Sequence, residues 1–247
     1  MALVEALGAV VSARSFVILT GAGVSADSGV ATFRGAGGLW EGHRVEEVAT
    51  PEAWAADPVM VWRFYQMRRS ALGEVQPNPA HHALARLEQE LAAAGVPCTL
   101  VTQNVDPLHE RAGSRPLHMH GELARLRCEA CGAAVEDTEH TDEGEFVHCN
   151  ACGHPRLRPD IVWFGEMPYH MERIEAALLE CTDFLSVGTS GLVYPAAGFL
   201  AAARAVRART IVNSLDPPDN LHPDDRFVPG RAADVIPPLV DELLAGL

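Results

Sequence analysis

Residues 15–29 read SFVILTGAGVSADSG: a short apolar run, a threonine, then a glycine-rich turn. An apolar run without polar alternation fits a strand buried on both faces, as parallel strands are. Gly21, Gly23 and Ala26 satisfy the pattern G-x-G-x-x-G/A. In that pattern glycines allow the backbone close to a pyrophosphate, and the helix that follows offers its positive end. Alone the match is weak. Directly after a buried strand it predicts a strand–turn–helix unit that opens a nucleotide site.

Working outward, VPCTLVTQN (96–104), DFLSVGTS (183–190) and RTIVNS (209–214) have the same character, and each ends in Gly, Asn, Ser or Thr. Small polar residues are expected where a ligand sits at the carboxyl edge of a sheet. Helices fall between the strands. One runs from the start to about Arg14 and another from Pro58 to Leu72, with Val59, Trp62 and Leu72 as its apolar stripe. Asn78-Pro79 caps AHHALARLEQELAAAG, which Gly95 ends. Others cover about 171–181, 195–207 and 234 to the end. The alternation predicts an α/β fold, a doubly wound Rossmann-like parallel sheet. Residues 1–121 and 159–247 form it, with a helical and loop insertion at about 24–72 and a small module at 122–158.

That module carries Cys128-x-x-Cys131 and Cys149-x-x-Cys152, with seventeen residues between the pairs. This is zinc-ribbon spacing in a reducing compartment, and four thiolates leave no open coordination position, so the metal is structural. Cys98 and Cys181 read as core residues. The formal charge of −14 opposes nucleic-acid binding through a general basic footprint, and the 19 basic residues are all arginine. No apolar run reaches the 18 or so residues that span a bilayer, and Met1-Ala-Leu-Val-Glu lacks a basic leader. A soluble cytoplasmic protein without membrane partners is expected.

RFYQMRR (63–69) is less easily absorbed. Tyr65 and Arg68 share a helix face at a spacing of three, and Arg69 is also within reach of Tyr65. Spacing leaves open whether this is a solvated helix surface or a partner for an anion. An ordinary dehydrogenase would show an acid after the second strand. Glu41 has the right separation but sits in the loop GGLWEGH, which makes hydride chemistry less probable.

TQNVDPLHERAG (102–113), LHMHGEL (117–123), RPDIVWFGEMP (158–168) and VGTSGLVYPAA (187–197) decide the matter together with GAGVSADSGVATFRG. In this order, zinc cysteines included, they resemble the sirtuins, the NAD-dependent protein lysine deacylases. The resemblance implies a cofactor site lined by Gly21, Ala22, Gly23, Ser25, Phe33, Arg34 and Trp40. Gln103, Asn104, Val105 and Asp106 would surround the nicotinamide ribose and carboxamide. Gly188, Thr189 and Ser190 would reach the phosphates and adenosine, with Asn213, Ser214, Leu215 and Ala232 near the adenosine end. An acyl-lysine peptide would enter as an added strand between Val162, Trp163, Phe164, Gly165 and Glu166 on one side and Gly191, Leu192 and Val193 on the other. His120 would be the general base, taking a proton from the ribose hydroxyls after the acyl oxygen has displaced nicotinamide, so that O-acyl-ADP-ribose forms.

Members of the family that remove acidic acyl groups carry Tyr-x-x-Arg on an acyl-pocket helix, which implies that Tyr65 and Arg68 bind a succinyl, malonyl or glutaryl carboxylate. A guanidinium and a phenol suit that role chemically. Thr32 and Pro107 depart from the common pattern, beside Phe33-Arg34 and Asp106 respectively. The rivals are a deacetylase of mixed acyl specificity, a mono-ADP-ribosyltransferase, a zinc-ribbon binding module and an oxidoreductase.

Overall fold

The structure is a computed structural model and describes residues 14–31, 39–40 and 43–247, with Leu39 and Trp40 described as backbone only. The expected N-terminal helix, Glu41, and the expected cofactor residues Phe33 and Arg34 lie outside the described residues, as does the Trp40 side chain.

In chain order, β1 (Phe16–Thr20) leads into two three-residue 3-10 turns, Ala22–Val24 and Ala26–Ser28. A hairpin of β2 (Leu39–Trp40) and β3 (His43–Arg44) precedes helices α1 (Val45–Val48), α2 (Pro51–Ala56), α3 (Pro58–Ala71) and α4 (Pro79–Ala93). Then come β4 (Cys98–Thr102), α5 (Leu108–Arg111), β5 (Leu117–His118), β6 (Gly121–Cys128), β7 (Ala134–Glu136) and β8 (Leu157–Ile161). The chain closes with α6 (Met171–Glu180), β9 (Asp183–Val187), α7 (Phe199–Ala205), β10 (Arg209–Ser214), β11 (Arg226–Pro229) and α8 (Ala232–Ala245).

Six strands form the main sheet in the order β11-β10-β9-β1-β4-β5, all parallel. The chain runs outward from β1 in one direction and returns to its other side at β9. The switch point, where a doubly wound sheet opens a crevice, therefore lies between β1 and β9. Phe16, Ile18, Leu100, Leu185 and Ile211 pack under α4 and α8, while Val17, Leu19, Val101, Phe184 and Val212 pack under α6 and α7. Both faces are covered, which is why these strands show no polar alternation.

A third core joins α1–α3 to the β7-β6-β8 sheet: Trp54, Trp62, Phe64 and Tyr65 meet Leu126, Leu157 and Trp163. The helical insertion and the cysteine module, separate in the sequence reading, share this core. Other expectations need correction. Val59 is 41% exposed, and the buried face of α3 is Val61, Trp62, Phe64, Tyr65, Gln66 and Arg69. No α-helix begins at Gly21–Gly29; the 3-10 turns there are too short to build a helix dipole. The helix expected over 195–207 is a 3-10 turn, Ala196–Gly198, followed by α7. Edge strands β5 and β11 carry no sequence signal at two and four residues.

Candidate active site at the carboxyl edge

The ends of β1, β4, β9 and β10 bring Gly21–Ser25, Gln103–Asp106, Gly188–Ser190 and Ser214–Leu215 to one edge, above the switch point. The glycines have a further role there besides the expected one. A Cβ on Gly23 would lie 2.7 Å from the Gly188 Cα, and one on Gly21 would lie 2.9 Å from the Gly188 carbonyl oxygen. Gly188 has φ +63°, and a Cβ there would meet Val24 N at 2.4 Å. The Gly23 N–H donates to the Gly188 carbonyl at 2.9 Å. These residues are glycine because two loops touch backbone to backbone across the switch point, which shapes the edge before any ligand arrives.

Behind this edge lies a buried polar chain. The Asn78 N–H donates to His81 Nδ1 at 3.3 Å, which leaves the His81 Nε2–H facing Ser25 Oγ at 3.3 Å. Asn104 Nδ2 also donates to Ser25 Oγ, at 3.0 Å, so the serine proton points to Asp106. Burial pushes His81 down to about 4, holding it neutral. Burial likewise raises the Asp106 carboxyl above its usual range, against the opposing hydrogen bonds from Leu108 N and Ser25. Thr20, Thr102 and His109 make a second relay, with Thr20 Oγ1 2.9 Å from Thr102 Oγ1 and 3.0 Å from His109 Nε2. Neither relay was read from the sequence, because its members are scattered over 89 residues; His109 and His81 look like ordinary helix residues.

His120 lies beside them. Its Nδ1 donates to the Gln103 carbonyl at 3.1 Å, so the lone pair sits on Nε2, and burial lowers its pKa despite that bond. A neutral imidazole with a free Nε2 is what a general base needs. Two residues earlier, His118 bridges the Asn104 carbonyl at 3.0 Å and the Glu110 carboxylate at 2.5 Å. Burial works against its charge, but the Glu110 bond and charge outweigh burial and raise its pKa. The cleft at the edge is lined by Leu19, Gln103, Thr189, Gly191, Val193 and Asn220.

Tyr65 is 0% exposed, its hydroxyl accepting from Trp163 Nε1 at 2.9 Å, and burial pushes its pKa up to about 12. Arg68, half-buried one turn on, stands over the Phe64 ring at 5.7 Å and lies close enough for its charge to oppose the Tyr65 shift. Arg69 is buried and paired with Asp137 at 3.2 Å, whereas Arg68 is half-buried.

Within the peptide-flanking stretch, Trp163 and Glu166 turn inward. Trp163 is 2% exposed, with the Arg158 guanidinium 3.4 Å from its ring centre. Glu166 takes Arg158 in a fork at 2.7 and 2.9 Å and accepts the Trp163 N–H. The N–H groups of Val162 and Phe164 go to the carbonyls of His120 and Ala49. The apolar side chains of Phe164 and Leu192 are exposed instead. Other expected site residues also have partners within the fold. Val105 gives its carbonyl to Leu123 N and packs on the third core. Asn213 donates to the carbonyls of Val228 and Gly230, and Ala232 is buried in the core under α8.

The four cysteine sulfurs lie within 4.8 Å of one another, with Cys128–Cys152 and Cys131–Cys149 both at 3.7 Å. Zinc–sulfur bonds of about 2.3 Å put tetrahedral sulfurs roughly 3.8 Å apart. The donor set fits zinc.

The description "Sir2 family" matches residues 21–195 of this chain. The chain belongs to the Sir2 family. Its curated Sir2 relatives include an NAD-dependent protein deacylase of Vibrio cholerae serotype O1, 50% identical and covering 94% of each chain. Another, from Trypanosoma brucei brucei, is 50% identical over 93% of this chain and 94% of its own. A solved Sir2 homologue in complex with NAD is 39% identical, with TM-score 0.84 over 95% of this chain and 91% of that one. A Sir2 protein bound to a myristoylated histone peptide is 30% identical, with TM-score 0.72 over 94% and 91%. NAD is accordingly the cofactor of this Sir2 protein and zinc the metal of its cysteine module. The residues fit NAD: the contacting glycines keep the cradle free of Cβ atoms, and the buried Asn213 Oδ1 has no partner among the described residues.

Proposed function

We propose that this NAD-dependent protein deacylase prefers lysine acyl groups ending in a carboxylate, succinyl and malonyl first and glutaryl as the longer candidate. Its substrates are acylated lysines of proteins, and its zinc thiolates suit the reducing cytoplasm. The observation that carries the preference is the Tyr65–Arg68 pair. Trp163 fills one acceptor position of the phenol, whose own O–H remains to be donated, and a pKa of about 12 keeps that proton in place. A guanidinium beside it gives a carboxylate one charge and two kinds of donor.

NAD, when bound, would supply the ribose carbon that the acyl oxygen attacks, nicotinamide as the leaving group and a ribose hydroxyl as the final acyl acceptor. The chain's residues do the rest. The Ser25–Asn104–Asp106 network fixes the loop after β4. The Gln103 carbonyl orients His120 so that Nε2 can take a proton from a ribose hydroxyl. Phe164 and Leu192, both exposed, would offer apolar contact to the peptide.

Hydrogen bonds to a charged group contribute about 1.5–3 kcal/mol net, roughly 10- to 150-fold in selectivity. Arg68→Met should therefore lower kcat/KM on a succinyl-lysine peptide by about that factor and leave an acetyl-lysine peptide within threefold. Competition between the two peptides on the unaltered enzyme should favour succinyl. Equal losses on both, or acetyl preference at the outset, would mean the mixed deacetylase instead.

A further inference from the structure

The acyl-side helix α3 is held by the cysteine module through directed polar bonds. Trp62 Nε1 donates to the Asp142 carbonyl at 3.2 Å. Gln66 Nε2 donates to the carbonyls of His140 and Asp142 at 2.7 and 3.1 Å. The Arg69 guanidinium binds both the carbonyl and, at 3.2 Å, the carboxylate of Asp137. Asp137 in turn fixes its own loop, accepting the N–H groups of Glu139 and His140 at 3.2 and 3.0 Å. The loop lies between Cys131 and Cys149, so the metal site closes its base.

At 3.6 residues per turn, Trp62, Gln66 and Arg69 fall within about 60° of arc, with Tyr65 and Arg68 on the neighbouring sector. Gln66 is 0% exposed, Arg69 5% and Asp137 8%. Burying a charge and an amide is expensive, and apolar side chains would hold two elements together at less cost. What apolar contact does not supply is a fixed rotation about the helix axis. Three donors meeting three carbonyls of one loop do.

We propose that Gln66 and Arg69 are positioning residues for acyl selectivity: docked on the 137–142 loop, they set the azimuth of α3 and hence where the Arg68 guanidinium points. This rests on the carboxylate-clamp reading of Tyr65 and Arg68. A guanidinium that has swung by an ångström loses the geometry of a forked carboxylate bond, whereas a neutral acetyl group never used it.

The test uses the zinc-loaded full chain with Arg69→Met, Arg69→Lys and Gln66→Met, plus Arg68→Met as the control for the clamp itself. For each, KM and kcat are measured on succinyl- and acetyl-lysine peptides, together with NAD KM, zinc content, Tm, and direct affinity for the succinyl peptide by fluorescence anisotropy. Arg69→Met and Gln66→Met should raise the succinyl-peptide KM and Kd about tenfold, with acetyl and NAD values within twofold and one zinc per chain. Arg69→Lys should recover part of the loss, because it returns one charged donor. Parallel losses on both peptides, or unchanged succinyl affinity in Gln66→Met, would overturn the proposal. Gln66→Met decides it if Arg69→Met fails to fold. If Arg68→Met itself spares succinyl binding, the clamp reading has failed; if only the Gln66 and Arg69 variants spare it, the positioning role has.

Discussion

His120 is held at Nδ1 by a backbone carbonyl and made less basic by burial, and both facts bear on its pH behaviour. As the proposed base it would work only when neutral, so activity should be full above its pKa and fall as pH drops through it. Because burial lowers that pKa, the acid limb of kcat/KM should have its midpoint below the ordinary histidine value of about 6.5. A midpoint at or above 6.5 would mean that another group is being titrated. His120→Ala should leave under about a hundredth of the turnover while NAD still binds, as read by calorimetry. Tyr65→Phe makes a different prediction. It removes the acceptor of the buried Trp163 N–H as well as the proposed donor to the acyl carboxylate. Stability should fall by about 1–3 kcal/mol in urea titration, and succinyl selectivity should drop with it.

At the level of elements, the two-loop contact at the switch point is the joint on which the cofactor edge depends. Gly188→Ala would put a Cβ into Val24 N and force a side chain to φ +63°. The left-handed conformation alone costs roughly 1–2 kcal/mol, and the clash adds to it. The variant should lose NAD affinity before it loses the sheet, which NAD titration and circular dichroism on one sample would separate. The GxG pattern thus fell on residues that the fold itself needs as glycine, for a reason that pyrophosphate approach does not supply, since it says nothing of a partner loop 165 residues away. The central strands were legible because burial on both faces leaves an uninterrupted apolar run. The inward face of α3 was not, because Gln66 and Arg69 sit among its buried positions and break the apolar period. Their partners, in Asp137 to Asp142, are three loop carbonyls and one carboxylate, and main-chain carbonyls leave no mark in a sequence. The inward aim of the Trp163 and Glu166 side chains was illegible for a related reason: a motif shows which residues occur together, not which way a turn aims them.

For the molecule as a whole, the polar interior behind the active site makes acid the sensitive condition. His81 sits at about 4, and His109 and His120 are also depressed, each by burial first. In the unfolded chain all three would titrate near 6.5. Between that value and the folded ones the unfolded state binds more protons, so stability falls as pH falls. His118 works oppositely: its raised pKa adds stability below about 6.5 that is lost as pH rises through the folded value. His81 alone should account for on the order of 3 kcal/mol between pH 6.5 and 4. The geometry gives the cause: its Nδ1 accepts the Asn78 N–H that caps α4, and a proton there would set two donors against each other. Urea unfolding at pH 7, 6, 5 and 4.5 should therefore show a stability decline that is shallower in His81→Gln than in the unaltered chain. Gln keeps a donor for Ser25 and a neutral acceptor for Asn78, so it removes the titration while retaining the kinds of hydrogen bond. If the two proteins decline in parallel, the acid-sensitive protons lie elsewhere, and the interior behind Ser25 and Asp106 is less rigidly coupled to α4 than its hydrogen bonds require.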